Sequence, residues 1–298
     1  MRGFVLVLVS VLALHSCSAL KNLDEPRWKS FREAELECAE YLFITNETLE
    51  RYRSRGYPDE PSTRKLINCI LINLNAWDES LNQIKDYTFK QFFIPNTVDC
   101  LYVQHTQECL DQTVAPLDPY DRLGRAYKSF QCYYLYYSGI SDEVKWVPFY
   151  PSEIVDIIGQ CLRIVPQTNE SLVQYCQGKF ADNPDYPPAA YCFTVRAGFY
   201  NKTTGIDLEK LFVQYGGGPS GTDLFEADTV ACIRDVYEQY CKEPDRLVHT
   251  VVDCLLYFLP VVRDISAGAS SVLGNPPECI PPPSPPRKTQ PCYNDVCQ

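Results

Sequence analysis

The chain is 298 residues long, 45% hydrophobic, and carries a formal net charge of −11. That acidity disfavours nucleic acid and anionic membrane surfaces as partners and favours solubility. Its 15 cysteines exclude an ordinary reducing compartment and point to a disulfide-stapled secreted protein.

Residues 1–19 read as a secretory leader. Arg2 supplies a positive start, and Phe4–Leu14 is an apolar run. Ala19, with the small Cys17 two before it, offers a cleavage site. The run is too short to cross a bilayer, and no later one is long enough. Cleavage removes Arg2 and Cys17, so the charge moves from −11 to −12 and the cysteines from 15 to an even 14. Three glycosylation sequons, at Asn46, Asn169 and Asn201, agree with secretion.

The rest of the chain repeats. Thr45–Tyr52 reads TNETLERY, and Thr168–Tyr175 reads TNESLVQY. The interval from Cys38 to Cys69 equals that from Cys161 to Cys192. Cys100-x8-Cys109 recurs as Cys232-x8-Cys241, and DRL recurs at Asp121–Leu123 and Asp245–Leu247, before Cys132 and Cys254. A duplicated cysteine pattern means two copies of one module. The expected organisation is a first domain over 20–145, a second over 146–270, and a proline- and cysteine-rich tail over 271–298. The tail's prolines favour extended polyproline conformation.

Helical periodicity dominates both halves. Val98, Leu101, Tyr102, His105 and Cys109 share one helical face, as do Val230, Ile233, Val236, Tyr237 and Cys241. Leu123, Ala126, Tyr127, Phe130 and Tyr134 form a third stripe, ended by Gly139. Asn96, Ser152, Asp207 and Asp228 stand where N-caps belong. Alternating patterns are scarce, so the fold class is all-α. A bond closing a 31-residue loop restricts the unfolded chain, by roughly 3–4 kcal/mol in the entropy model.

Catalytic chemistry is poorly represented. After the leader only His105 and His249 remain, neither in a zinc spacing. The loop GGGPSGTD (216–223) lacks the lysine of a phosphate loop and the final glycine of a nucleophile elbow. No enzyme activity, metal or cofactor is expected. Aromatic side chains are abundant instead. One cluster is Phe130, Tyr133, Tyr134, Tyr136 and Tyr137; another is Phe89, Phe92 and Phe93; Trp146 stands at the domain boundary. Tyrosine offers an apolar ring with one hydroxyl, suited to orienting an apolar ligand with one polar group. These nine residues are the candidate ligand contacts, although plain core packing would use the same rings. Burial of about 300 Å2 of ligand would give a gross ~7.5 kcal/mol before association costs.

The cysteine register and the segment DPYDRLGRAYKSFQCYYLYYSGI resemble the insect odorant-binding protein superfamily, and in particular its two-domain, atypical members in mosquitoes. The resemblance implies two tandem six-helix domains around apolar pockets. It also implies the pairs Cys38–Cys69, Cys109–Cys132, Cys161–Cys192 and Cys241–Cys254. Both copies lack both ends of the family's remaining bond: Lys65 and Pro188 stand for one end, and Leu123 stands for the other in domain one. Six cysteines, Cys100, Cys176, Cys232, Cys279, Cys292 and Cys297, stay unassigned, with the tail expected to be tied to domain two. The implied function is a soluble extracellular carrier or scavenger of small hydrophobic molecules, odorant-like or lipid-like. Its partners would be that ligand and a membrane receptor or other secreted proteins, with no nucleic acid and no membrane insertion. The alternative is a cysteine-rich structural or protein-binding role on the same scaffold, as in an extracellular matrix or eggshell.

Overall fold

The computed structural model describes residues 27–180, 182–216, 223–255, 259, 261–277 and 279. The leader, most of the glycine-rich loop, and Cys292 and Cys297 lie outside them. The described residues are mainly helical, as expected of an all-α fold. In domain one the helices are α1 (Phe31–Tyr41), α2 (Asn46–Ser54), α3 (Pro61–Asn73), α4 (Asp86–Phe89, continued by a 3-10 turn), α5 (Tyr102–Thr113) and α6 (Arg122–Tyr136). Domain two has α7 (Pro151–Ile164), α8 (Asn169–Cys176), α9 (Tyr186–Arg196), α10 (Leu208–Tyr215), α11 (Ala227–Gln239) and α12 (Glu243–His249), which runs on into a π-helical turn, Thr250–Leu255. One more helix, α13 (Val261–Leu273), follows. Three two-stranded ribbons interrupt the helices. Strand β1 (Trp28–Lys29) pairs with β4 (Lys145–Trp146), β2 (Trp77–Asp78) with β3 (Gln83–Ile84), and β5 (Tyr200–Asn201) with β6 (Gly205–Ile206).

The repeated octapeptide starts the same helix twice. The Thr45 hydroxyl accepts the Thr48 N–H at 3.3 Å, and the Thr168 hydroxyl accepts that of Ser171 at 3.0 Å. Each occupies the N-cap of α2 or α8 and satisfies an otherwise orphan donor. Of the other cap candidates only Asp207 serves, accepting the Lys210 N–H at the start of α10. Ser152 and Asp228 fall inside the first turns of α7 and α11 instead, because these helices begin one residue earlier, at Pro151 and Ala227. Asn96 makes a loop turn, its side chain accepting the Val98 and Asp99 N–H groups. Helix α5 therefore starts only at Tyr102, and Val98 and Leu101, expected on its inner face, are exposed.

The disulfides join Cys38 to Cys69, Cys109 to Cys132 and Cys161 to Cys192. The fourth implied pair is corrected: Cys254 bonds Cys232, and Cys241 is free and exposed. Position along the helix explains this. Cys109 lies within α5 and Cys232 within α11, and their bonds span 23 and 22 residues. Cys241 lies beyond the end of α11, after Tyr240 has turned extended. The x8 spacing repeats in sequence but straddles the start of one helix and the end of the other. Cys176 on α8 bonds Cys279 beyond α13, tying the start of the tail to domain two.

The two cores meet through a polar and aromatic seam. Asn75 donates to the Pro148 carbonyl at 3.1 Å, and the Tyr150 hydroxyl to the Ile72 carbonyl at 2.7 Å. The Gln214 amide side chain binds both the N–H and the carbonyl of Phe149. Helix α4 packs on α10, where the Thr88 hydroxyl donates to the Val213 carbonyl and the Tyr87 ring meets Phe212 edge-on. Trp146 pairs across β1–β4 with Trp28, is buried, and sets its ring against Phe149 and Phe199 of domain two.

Candidate ligand site

The sequence directs attention to the rings of domain one. Phe89, Phe92, Phe93, Phe130 and Tyr133 are buried, and Tyr137 nearly so. They touch one another: Phe93 packs on Phe89 at 4.9 Å, Tyr133 on Phe89 at 5.1 Å, and Tyr137 on Phe93 at 5.6 Å between ring centres. Tyr134 stacks on Phe130 at the edge of the cluster, and Tyr136 lies outside it against His105. The structure thus gathers the expected rings into one core, with Tyr136 half-buried outside it and Trp146 in the seam between domains.

Their hydroxyls already have protein partners. Tyr133 donates to Asp86, Tyr127 to the Tyr57 carbonyl, and Tyr57 to Glu35 at 2.6 Å. Burial, reinforced by the neighbouring carboxylates, raises all three phenols, Tyr127 to about 12. Glu35 is itself fully buried and also binds the Arg32 and Arg53 guanidiniums at 2.5 and 2.7 Å. A buried carboxylate held by three donors is satisfied, and it fixes α1 against α2 and the Tyr57 turn.

Domain two presents concave surface. One groove, of about 230 Å3, lies between β6 and α11 and is lined by Thr204, Ile206, Leu208, Val230, Ile233 and Tyr237. Its neighbour, about 570 Å3, shares Thr204 and is more polar, with Tyr191, Tyr200, Asp207 and Lys210 in its wall. The close approach of the ribbon to α11 depends on Gly205, whose φ is +81° and where a Cβ would stand 2.6 Å from the Tyr237 hydroxyl. Elsewhere in domain two, Tyr215 and Asp264 interact with each other. Burial is the main cause that raises both their pKa values, and the nearby Arg263 only partly offsets it.

None of these groove residues was among the nine rings. The signal for them was the stripe Val230, Ile233, Val236, Tyr237 on α11. Only Val236 is buried; Val230 is half exposed. Four apolar positions on one helix face exceed what the neighbouring elements cover, and the excess lines the groove. Both described histidines pair with carboxylates, His105 with Asp99 and His249 with Asp253, each at 2.9 Å.

Comparison with known proteins places this architecture. The PBP/GOBP family matches residues 21–136 and again 145–257, together more than half of the chain. The chain belongs to the PBP/GOBP family. It is also similar to general odorant-binding protein 69 of Anopheles gambiae, 30% identical over 179 residues, which cover 57% of this chain and 76% of that protein. No solved structure matches. In this PBP/GOBP chain the two family segments correspond to the two stapled helical sets. Among the described residues no helix is long and apolar enough to cross a membrane.

Proposed function

We propose that the mature chain, residues 20–298 after removal of the 1–19 leader, is a secreted carrier of small hydrophobic molecules. Its domains would cover 20–145 and 146–270, with glycans at Asn46, Asn169 and Asn201. The observation that carries this reading is the match of both halves to one family of odorant-binding-type proteins. The five disulfides between described cysteines support an oxidising compartment.

The proposed seat is the groove of domain two. Ile206, Leu208, Val230 and Ile233 supply apolar wall, and Thr204 and Tyr237 supply hydroxyls for one polar end. The rings of domain one enter the reading as the second seat, which would require Phe93 and Tyr133 to part. An open groove needs no such displacement, since separating packed rings forfeits their contacts. The test is displacement of an environment-sensitive apolar dye from full-length protein. Ile233→Asp should weaken dye binding at least tenfold, while Phe93→Leu leaves it within twofold. The reverse pattern would move the seat to domain one, and no dye binding by the unaltered protein would remove the carrier reading.

A further inference from the structure

Two of the ribbons are equivalent by position, and their turns carry opposite charge. Each follows the third helix of its domain and closes with a backbone bond across the ribbon. The Lys85 N–H donates to the Ala76 carbonyl and the Asp207 N–H to the Phe199 carbonyl, both at 2.8 Å. Asp78 and Asn201 hold the same place in the two turns. Asp78 accepts the Ser80 N–H at 3.0 Å, and Asn201 accepts the Thr203 N–H at 2.8 Å. The next residue is Glu79 in domain one and Lys202 in domain two.

Domain one covers its acidic turn with its own chain. Arg122 of α6 reaches Glu79 at 2.9 Å, and Arg125 donates to the Asn82 carbonyl at 2.9 Å. The Asn82 side chain donates to the Pro119 carbonyl at 3.1 Å. Domain two covers its turn differently. Arg246, which matches Arg122 in the repeated DRL, donates to the Tyr240 carbonyl instead. The Lys202 side chain is 73% exposed, with Glu243 at 3.8 Å, and the Tyr191 hydroxyl binds that same carboxylate at 3.2 Å. Lys210 shares a groove wall with Lys202. It donates to the Gly198 carbonyl at 3.1 Å and meets Asp207 at 3.4 Å. The larger groove thus sets two ammonium groups against Asp207, in a chain whose net charge is −11.

We propose that this polar groove takes the carboxylate head of a fatty-acid-like amphiphile whose tail lies in the adjoining apolar groove. This rests on the carrier reading and narrows its ligand class. The two grooves share Thr204, so one molecule can span both. Ile206, Val230 and Ile233 line the tail's side. Two lysines, one of them offset by Asp207, leave a net positive charge at the head, which matches a monoanion better than a neutral alcohol. Low-dielectric walls focus that charge on the groove. Lys210 is positioned in advance by Gly198 and Asp207, with its ammonium 5.7 Å from the centre of the Trp28 ring. Lys202, on the exposed turn, has room to swing onto the head.

The test is dye displacement from the full-length secreted protein by decanoate and by decanol, which share a tail length and differ in the head. Decanoate should act at a concentration about fivefold lower than decanol, the scale of one solvent-exposed ion pair. Lys202→Glu should weaken decanoate by at least that factor and leave decanol within about twofold, while Lys202→Arg keeps the preference. Both changes retain the Asn201-x-Thr203 sequon. Ile233→Asp should weaken both compounds, because it strikes the tail. Equal displacement by the two compounds, or equal weakening of both by Lys202→Glu, would overturn the acidic head and leave the carrier reading standing. Undiminished decanoate binding by Ile233→Asp would overturn the single ligand spanning both grooves. A parent protein that binds neither the dye nor either compound would overturn the carrier reading and this proposal with it.

Discussion

The two domains share a plan and differ in how they complete it. Domain one closes on itself: its rings interlock, and Glu35 collects Arg32, Arg53 and Tyr57 in its interior. Domain two adds α13, which packs on α7 and α8 and is clamped by Cys176–Cys279. Gly268 allows the close fit to α7, since a Cβ there would overlap Ile158. Yet domain two keeps open surface between β6 and α11, and buries Tyr215 and Asp264 in its core, where burial raises both pKa values. The comparison teaches that the copies share the threonine caps and the 31-residue staple and differ in surface. One is a packed body, and the other presents a concave face.

The largest expected effect breaks domain one. Glu35→Ala leaves Arg53 and the Tyr57 hydroxyl without their shared acceptor, and removing one partner of a buried pair costs about 3–5 kcal/mol. Hydrogen exchange should quicken across α1 to α3 while α7 and α8 stay protected; equal loss in both domains would mean that they unfold as one unit.

The corrected staple comes next. Cys232→Ser should destabilise domain two by about 3 kcal/mol in the entropy model for a loop of this size. Cys241→Ser should change stability by no more than about 0.5 kcal/mol, as for an ordinary surface site. Urea unfolding of both variants decides, and equal losses would restore Cys241 to the framework.

A smaller effect is expected at the ribbon. Gly205→Ala combines positive φ with a clash against Tyr237, and should cost about 1–3 kcal/mol. It should also weaken apolar dye binding, whereas the matching change at Gly139, which has open space around it, should leave binding intact.

The smallest is a pH effect. Asp264 has a raised folded-state pKa, so the folded chain binds its proton more tightly than the unfolded chain does. Its contribution is therefore full below the unfolded carboxylate range, falls as pH rises through the raised value, and is flat above it. Asp264→Asn should remove that fall, making the variant relatively more stable than the parent at neutral pH than in acid. Parallel melting curves across pH would contradict it.

Much of this fold was legible in the sequence. The repeated Thr-Asn-Glu signals duplication in the sequence, and the structure shows that it also starts a helix in each copy, through a threonine cap acting on an N–H three residues away. The 31-residue cysteine intervals carried over because in both copies the bond joins the first helix to the third, although those helices differ in length. The fourth pair was misread because a spacing of nine residues says nothing about which helix end it straddles. Cys109 and Cys232 are equivalent by helix, although Cys109 and Cys241 are equivalent by count. The groove was missed for a different reason. Ring content marks where apolar side chains are large, whereas concavity depends on what neighbouring elements leave uncovered, as at Val230 and Ile233. That is a tertiary property, visible in advance only as one apolar stripe too wide for its helix.

The most direct test of the carrier account is solvent extraction of the native secreted protein followed by mass spectrometry, beside the Ile233→Asp variant purified in parallel. The account predicts a small hydrophobic compound retained by the parent and depleted at least tenfold in the variant. Equal recovery from both would contradict the groove as its seat. Absence of any such compound, together with no dye binding, would contradict the carrier itself.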